Sequence, residues 1–190
     1  SMTLKAVSIT GSYTNTGTLI IGTSLVGGGS LTNAAGATLD FAIGSPSITT
    51  LTATAAGNTV KYSSSANQTA ISTTYDNLTL GGTSAKTFNS GFTVNGILSM
   101  EGTTTSIGTT APTYGANATL KYNKPGSSFA TGLEWPTATP FSGTGGIIVA
   151  GGTITLSASR GLGADTPLVI SSGATLSTTS NAYALTVGGI

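Results

Sequence analysis

Five carboxylates, Asp40, Asp76, Glu101, Glu134 and Asp165, carry the hydrolytic chemistry open to this sequence, which has no histidine and no cysteine. Cleaving a glycosidic bond takes two carboxyl groups that face each other across the sugar. Asp76 and Glu101 stand one coil length apart in the sequence, a spacing that would stack them on neighbouring turns of a coiling chain. They are therefore the weak catalytic candidates, with no Lys or Arg motif beside them. Asp76 has a plainer reading as the side chain of an Asx-type turn before Leu78. Lacking the commonest general base, the chain is expected not to be an enzyme. Metal binding needs grouped ligands, and five scattered acids supply none. Gly27-Gly28-Gly29 precedes a strand pattern, so it cannot cradle phosphate at a helix N-terminus. No cofactor is expected. Trp135, in Glu134-Trp135-Pro136, is the candidate ligand-binding residue, a platform for carbohydrate or protein on a loop. Its competing reading is a side chain folded down over an edge of the core.

The elements that would position these residues follow from composition and alternation. The 190 residues include 38 Thr, 24 Ser and 28 Gly, and only 6% are charged, against about 25% in ordinary domains. Apolar residues recur with period two in short runs bounded by Gly, Asn and Ser, the mark of short strands. Val60-Lys61-Tyr62 returns as Leu120-Lys121-Tyr122, and Thr38-Leu39-Asp40-Phe41 is an earlier relative. The offset between Val60 and Leu120 fits two or three coils of about 20–25 residues, within the range of solenoid repeats. The expected fold is all-β, a single right-handed parallel β-helix (β-solenoid) over residues 1–190. The expected inward core is Val60, Tyr62, Leu78, Leu80, Phe92, Val94, Ile97, Leu98, Leu120 and Tyr122, then Ile148, Ile154, Leu156, Leu168, Ile170, Leu176, Leu185 and Val187. Residues 102–115 read as a corner or surface excursion. Residues 123–146, with Pro125, Pro136 and Pro140, read as a loop excursion, since proline is confined to sheet edges and turns. Ser1-Met2 reads as a cloning remnant, and the final strand pattern reads as a piece of a longer repeat protein.

Tyr75-Asp76-Asn77-Leu78-Thr79-Leu80-Gly81-Gly82, then Lys86-Thr87-Phe88 and Phe92-Thr93-Val94-Asn95-Gly96-Ile97-Leu98, resembles the repeat of very large surface proteins of Bacteroidetes and related bacteria. Gly152-Thr153-Ile154-Thr155-Leu156, Ser172-Gly173-Ala174-Thr175-Leu176 and 183–189 are similar. The resemblance covers residues 56–190. It implies a secreted, adhesin-like, extracellular β-solenoid region at the bacterial cell surface, with no catalytic residues to carry over.

The net charge of +1 and scattered Lys and Arg exclude a nucleic-acid partner, which would need clustered cations. No apolar run reaches the roughly 18 residues of a membrane helix, so no membrane insertion is expected. The expected partners are surface glycans or proteins, neighbouring repeats of the same chain, and further copies stacking end to end through unpaired strand edges. Thr52-Ala53-Thr54, Thr137-Ala138-Thr139 and Thr153-Ile154-Thr155 invite comparison with flat Thr-x-Thr faces that match an ice lattice. Their spacing is irregular and one lies in the proline loop, which argues against a flat, regular face. The expected role is a stiff stalk that displays loops, with a carbohydrate-binding module and a polysaccharide-cleaving β-helix as alternatives.

Overall fold

The computed structural model describes residues 1–42, 44–103, 106–178 and 181–188. Among these there is no helix, and parallel strands stack as a β-solenoid of about nine turns. The first wall is one continuous ladder through Met2–Ser8, Thr18–Asn33, Thr38–Phe41, Thr59–Tyr62, Asn77–Leu80, Ile97–Glu101, Thr119–Ala130, Gly146–Thr155 and Leu168–Ile170. Its rungs climb from Val60 to Leu78, Leu98 and Leu120, each turn slightly longer than the one before. The return of Val60-Lys61-Tyr62 as Leu120-Lys121-Tyr122 thus spans three turns.

Two further walls close each central turn. The second contains Gln68–Ala70, Lys86–Phe88 and Ile107–Gly108. The third contains Thr74–Tyr75, Thr93–Val94 and Thr113–Tyr114. Towards the N-terminus the third wall continues through the Ala53–Tyr75 bridge into Ser47–Thr52, Thr18–Asn33 and Ser12–Asn15. Thr18–Asn33 is therefore longer than the short strands the sequence suggests. It joins the first wall through residues 18–21 and the third through residues 30–33, with a register slip between Gly27 and Ser30.

Alternation decides what enters the core. On the first wall two inward columns run the length of the stack, Leu39-Val60-Leu78-Leu98-Leu120-Ile147 and Phe41-Tyr62-Leu80-Met100-Tyr122-Val149. All twelve are sealed from solvent, and burying each aliphatic side chain contributes about 1.5–3 kcal/mol. One corner is sealed by asparagines. Asn15 donates to Asn33 Oδ1 (2.8 Å), Asn58 to the Asn33 carbonyl (2.9 Å) and Asn77 to the Asn58 carbonyl (2.8 Å). Another corner needs glycine. Gly82 and Gly102 have φ of 82° and 73°, and a Cβ on either would overlap the carbonyl of the turn below.

Several expectations need correction. Ile97 is 41% exposed, because Leu98 and Met100 take the inward parity of that strand. Ile148 stands opposite the outward Lys121, while Ile147 and Val149 face in. Ile170 and Val187 have inward parity, paired with Val149 and Leu162, yet are exposed because no further described strand pairs beyond them. Leu168, Leu176 and Leu185 are partly buried against the core. Residues 123–130 are not loop but a continuation of Thr119–Ala130, which pairs with Gly146–Thr155 across a register slip. Pro125 sits at that slip, where no ladder N–H is required. Residues 102–115 are no excursion either: Ile107–Gly108 and Thr113–Tyr114 belong to the second and third walls. Thr104 and Thr105, within that stretch, lie outside the described residues.

Candidate functional site

Asp76 lies at a corner, immediately before Asn77–Leu80. Its Oδ2 accepts from the Gly57 amide (2.7 Å) and from Asn77 Nδ2 (3.1 Å), so the side chain ties two turns together. Glu101 ends its strand and accepts from Ser99 Oγ at 3.1 Å. Because Leu78 pairs with Leu98, it is Gly96 that stacks on Asp76, and Glu101 lies a full strand length further along the wall. At about 3.3 Å per residue that strand separates the two by roughly 16 Å, beyond the ≈ 5–9.5 Å of a glycosidase pair. The structure does not bring this pair together.

Trp135 also departs from its expected binding role. Its side chain is 0% exposed, its Nε1 donates to the Gly161 carbonyl at 3.4 Å, and its ring lies 6.4 Å from that of Tyr122. No ring face is left for a ligand. The residue closes the interior of the turn from Leu120 to Ile147, the longest step on the first wall.

The same long turn carries a buried polar cluster. Glu134 is 0% exposed; its Oε1 accepts from Tyr122 Oη (2.9 Å) and the Gly132 amide (2.7 Å), while Oε2 has no partner among the described residues. Tyr114 Oη donates to the Glu134 carbonyl at 2.6 Å. Burial pushes the Glu134 carboxyl up, against the pull of the Gly132 amide, the Tyr122 hydroxyl and Arg160. It pushes the Tyr114 and Tyr122 phenols up as well. Arg160 is 4% exposed and its Nη2 reaches Thr131 Oγ1, the Gly132 carbonyl and Ser157 Oγ, each at 3.2 Å. The guanidinium staples the long turn to its neighbour. Two lysines are internal as well. Lys124 donates to the Glu101 and Gly102 carbonyls at 3.3 Å and stands 4.1 Å over the Phe129 ring. Lys86 donates to the Ser64 carbonyl at 2.7 Å. Burial brings both ammonium groups down to about 8.

In the sequence these cations read only as scattered charges, with no interior role. The available signal was parity: Lys86, Lys124 and Arg160 share the alternation of the inward Phe88, Tyr122 and Leu162 beside them. Glu134, in aperiodic chain, offered no such signal. Among the described residues, no three of His, Cys, Asp and Glu gather as metal ligands. Nor is any helix there long and apolar enough to cross a membrane. The chain matches no family model, no curated protein and no solved structure.

Proposed function

We propose that this chain is a stiff structural segment of a secreted bacterial surface protein, an adhesin-like stalk that carries loops away from the cell. The observation that supports it most is the unbroken first-wall ladder from Met2 to Ile170. A pull along the stack loads every rung of this ladder, together with the columns beneath it. The cations Lys86, Lys124 and Arg160 are used inside to tie turns together. The outer surface is left rich in hydroxyls and poor in charge, which limits non-specific electrostatic adhesion. Neighbouring repeats and surface glycans or proteins are the partners such a segment would meet.

Single-molecule extension of the chain, held through handles at residues 4 and 187, tests the mechanical part. The expected trace is a stiff rise followed by stepwise release of turns. A smooth, compliant extension at low force would overturn it. Antibody staining of intact source cells tests the location, with staining only after lysis as the contrary result.

A further inference from the structure

Over six successive turns the third wall presents a threonine on its outer side. Pairing places Thr14 beside Thr32 and Thr32 beside Thr52. The Ala53–Tyr75 bridge sets Thr52 beside Thr74, and the column continues through Thr93 to Thr113. The intervals between these threonines in the sequence are unequal, which is why counting Thr-x-Thr pairs along single strands misses the column. Neighbouring strands lie about 4.8 Å apart, so the six side chains repeat at that interval. Ser12, Ser30 and Thr50 form a second column on the same face of the same strands. It lies about 6.7 Å across the wall, making a rectangular net over the first three turns.

The six hydroxyls make no hydrogen bond to any described residue, whereas the inward Thr73 donates to the Leu51 carbonyl at 3.2 Å. Thr14, Thr52 and Thr113 are exposed, and the others are partly covered by their neighbours in the column. Each offers a methyl and a hydroxyl at fixed spacing, because β-branching restricts χ1 and the wall beneath is packed on Leu31, Leu51, Phe92 and Val94.

The chemistry of this face narrows its occupant. Residues 12–15, 30–33, 50–53, 72–75, 91–94 and 111–114 contain no Asp, Glu, Lys or Arg, so phosphate and other ionic partners find no counter-charge. Tyr75 and Phe92 point inward and are buried, and Tyr13, paired with the inward Leu31, is uncovered at the N-terminal end of the stack. The face therefore lacks the row of exposed rings that stacks on crystalline polysaccharide. It equally lacks the aromatic and Arg anchors of a protein interface. What it matches is a lattice of hydroxyl-sized groups repeating at the strand spacing. We infer that the Thr14–Thr113 column is a docking face for the ordered surface of ice, its methyls settling between lattice oxygens and its hydroxyls joining their hydrogen bonds.

The test is partition into slowly grown ice, with thermal hysteresis read alongside. The folded chain is expected to concentrate in the ice fraction. Thr52→Tyr and Thr113→Tyr, at exposed column positions, are expected to lose most of that enrichment. Thr79→Tyr, outward on the first wall, is expected to retain it. Circular dichroism on each variant checks folding. Exclusion of the wild-type chain from ice overturns the inference whatever the variants do. So does equal loss in folded Thr79→Tyr, or retention on crystalline cellulose in place of ice. The stalk reading is independent of this result, since its own tests involve no ice.

Discussion

Tyr62 and Tyr122 occupy the same inward column, three turns apart, in opposite kinds of surroundings. Tyr62 lies in the evenly stepped part of the stack. Its hydroxyl meets Tyr75 Oη at 3.2 Å and accepts from the Ile71 amide at 3.0 Å, and burial pushes its phenol up to about 12. Tyr122 opens the longest turn, and its hydroxyl serves the buried carboxylate of Glu134 at 2.9 Å. The contrast shows how the solenoid tolerates extra chain. Where turns are short and even, side chains of inward parity fill the interior, most of them apolar, with Gln68 and Lys86 tied to backbone carbonyls. In the longer turn Glu134 and Trp135 fold inward while residues 137–140 stay at the surface, and the buried Glu134 carboxyl is held through Oε1 by Tyr122 and the Gly132 amide.

Replacing the side chain that plugs the long turn should break this region most severely. Trp135→Ala is expected to cost about 3–5 kcal/mol, measured by urea unfolding. Trp135 is the only tryptophan, so wild-type fluorescence reports the long turn alone while circular dichroism reports all turns. Separate midpoints for the two probes would show that the regions unfold independently, and coincident midpoints that they act as one. The matched tyrosines come next. Tyr122→Phe removes a donor from a buried carboxylate and should cost about 1.5–3 kcal/mol, against about 0.5–1.5 kcal/mol for Tyr62→Phe. Equal losses would mean that Glu134 is not held as described.

Lysine burial sharpens the comparison through pH. Lys86 and Lys124 lose protons near pH 8 when folded but near 10.5 when unfolded. Between those values the unfolded chain binds more protons, so stability should rise with pH across that window. Above about pH 10 the buried tyrosines oppose the trend, because their folded phenols stay protonated while unfolded ones ionise. Thermal melts of Lys86→Met should show a shallower rise between pH 8 and 9.5 than wild type, and an unchanged slope would place that ammonium in water. The smallest effect belongs to Ile148→Thr, outward on the first wall, expected within about 0.5 kcal/mol of wild type. A larger loss would reverse the assigned parity.

Much of this architecture was legible because strands such as Val60-Lys61-Tyr62 alternate cleanly, leaving one parity for the core. It failed where both parities are apolar. In Ile147-Ile148-Val149 the strand alone cannot choose, and the choice comes from Leu120 and Tyr122 one turn below. The same holds for Ile97 against Leu98 and Met100. Trp135 and Glu134 were unreadable for a different reason: they lie in chain without period, where position depends on the space left by the turns on either side. The threonine column was hidden by unequal corners. Its members never share a strand, so only register across turns aligns them.

That pairing of each turn with the next has a kinetic consequence. Every ladder contact joins residues one turn apart in the sequence. One turn is about a tenth of the chain, a relative contact order that falls among helical bundles and well below most all-β folds. Loop closure is then a similar, modest entropic cost at each turn. Once two turns have paired, growth proceeds from either face of that nucleus, and the time to the first stable pair should barely change as turns are added.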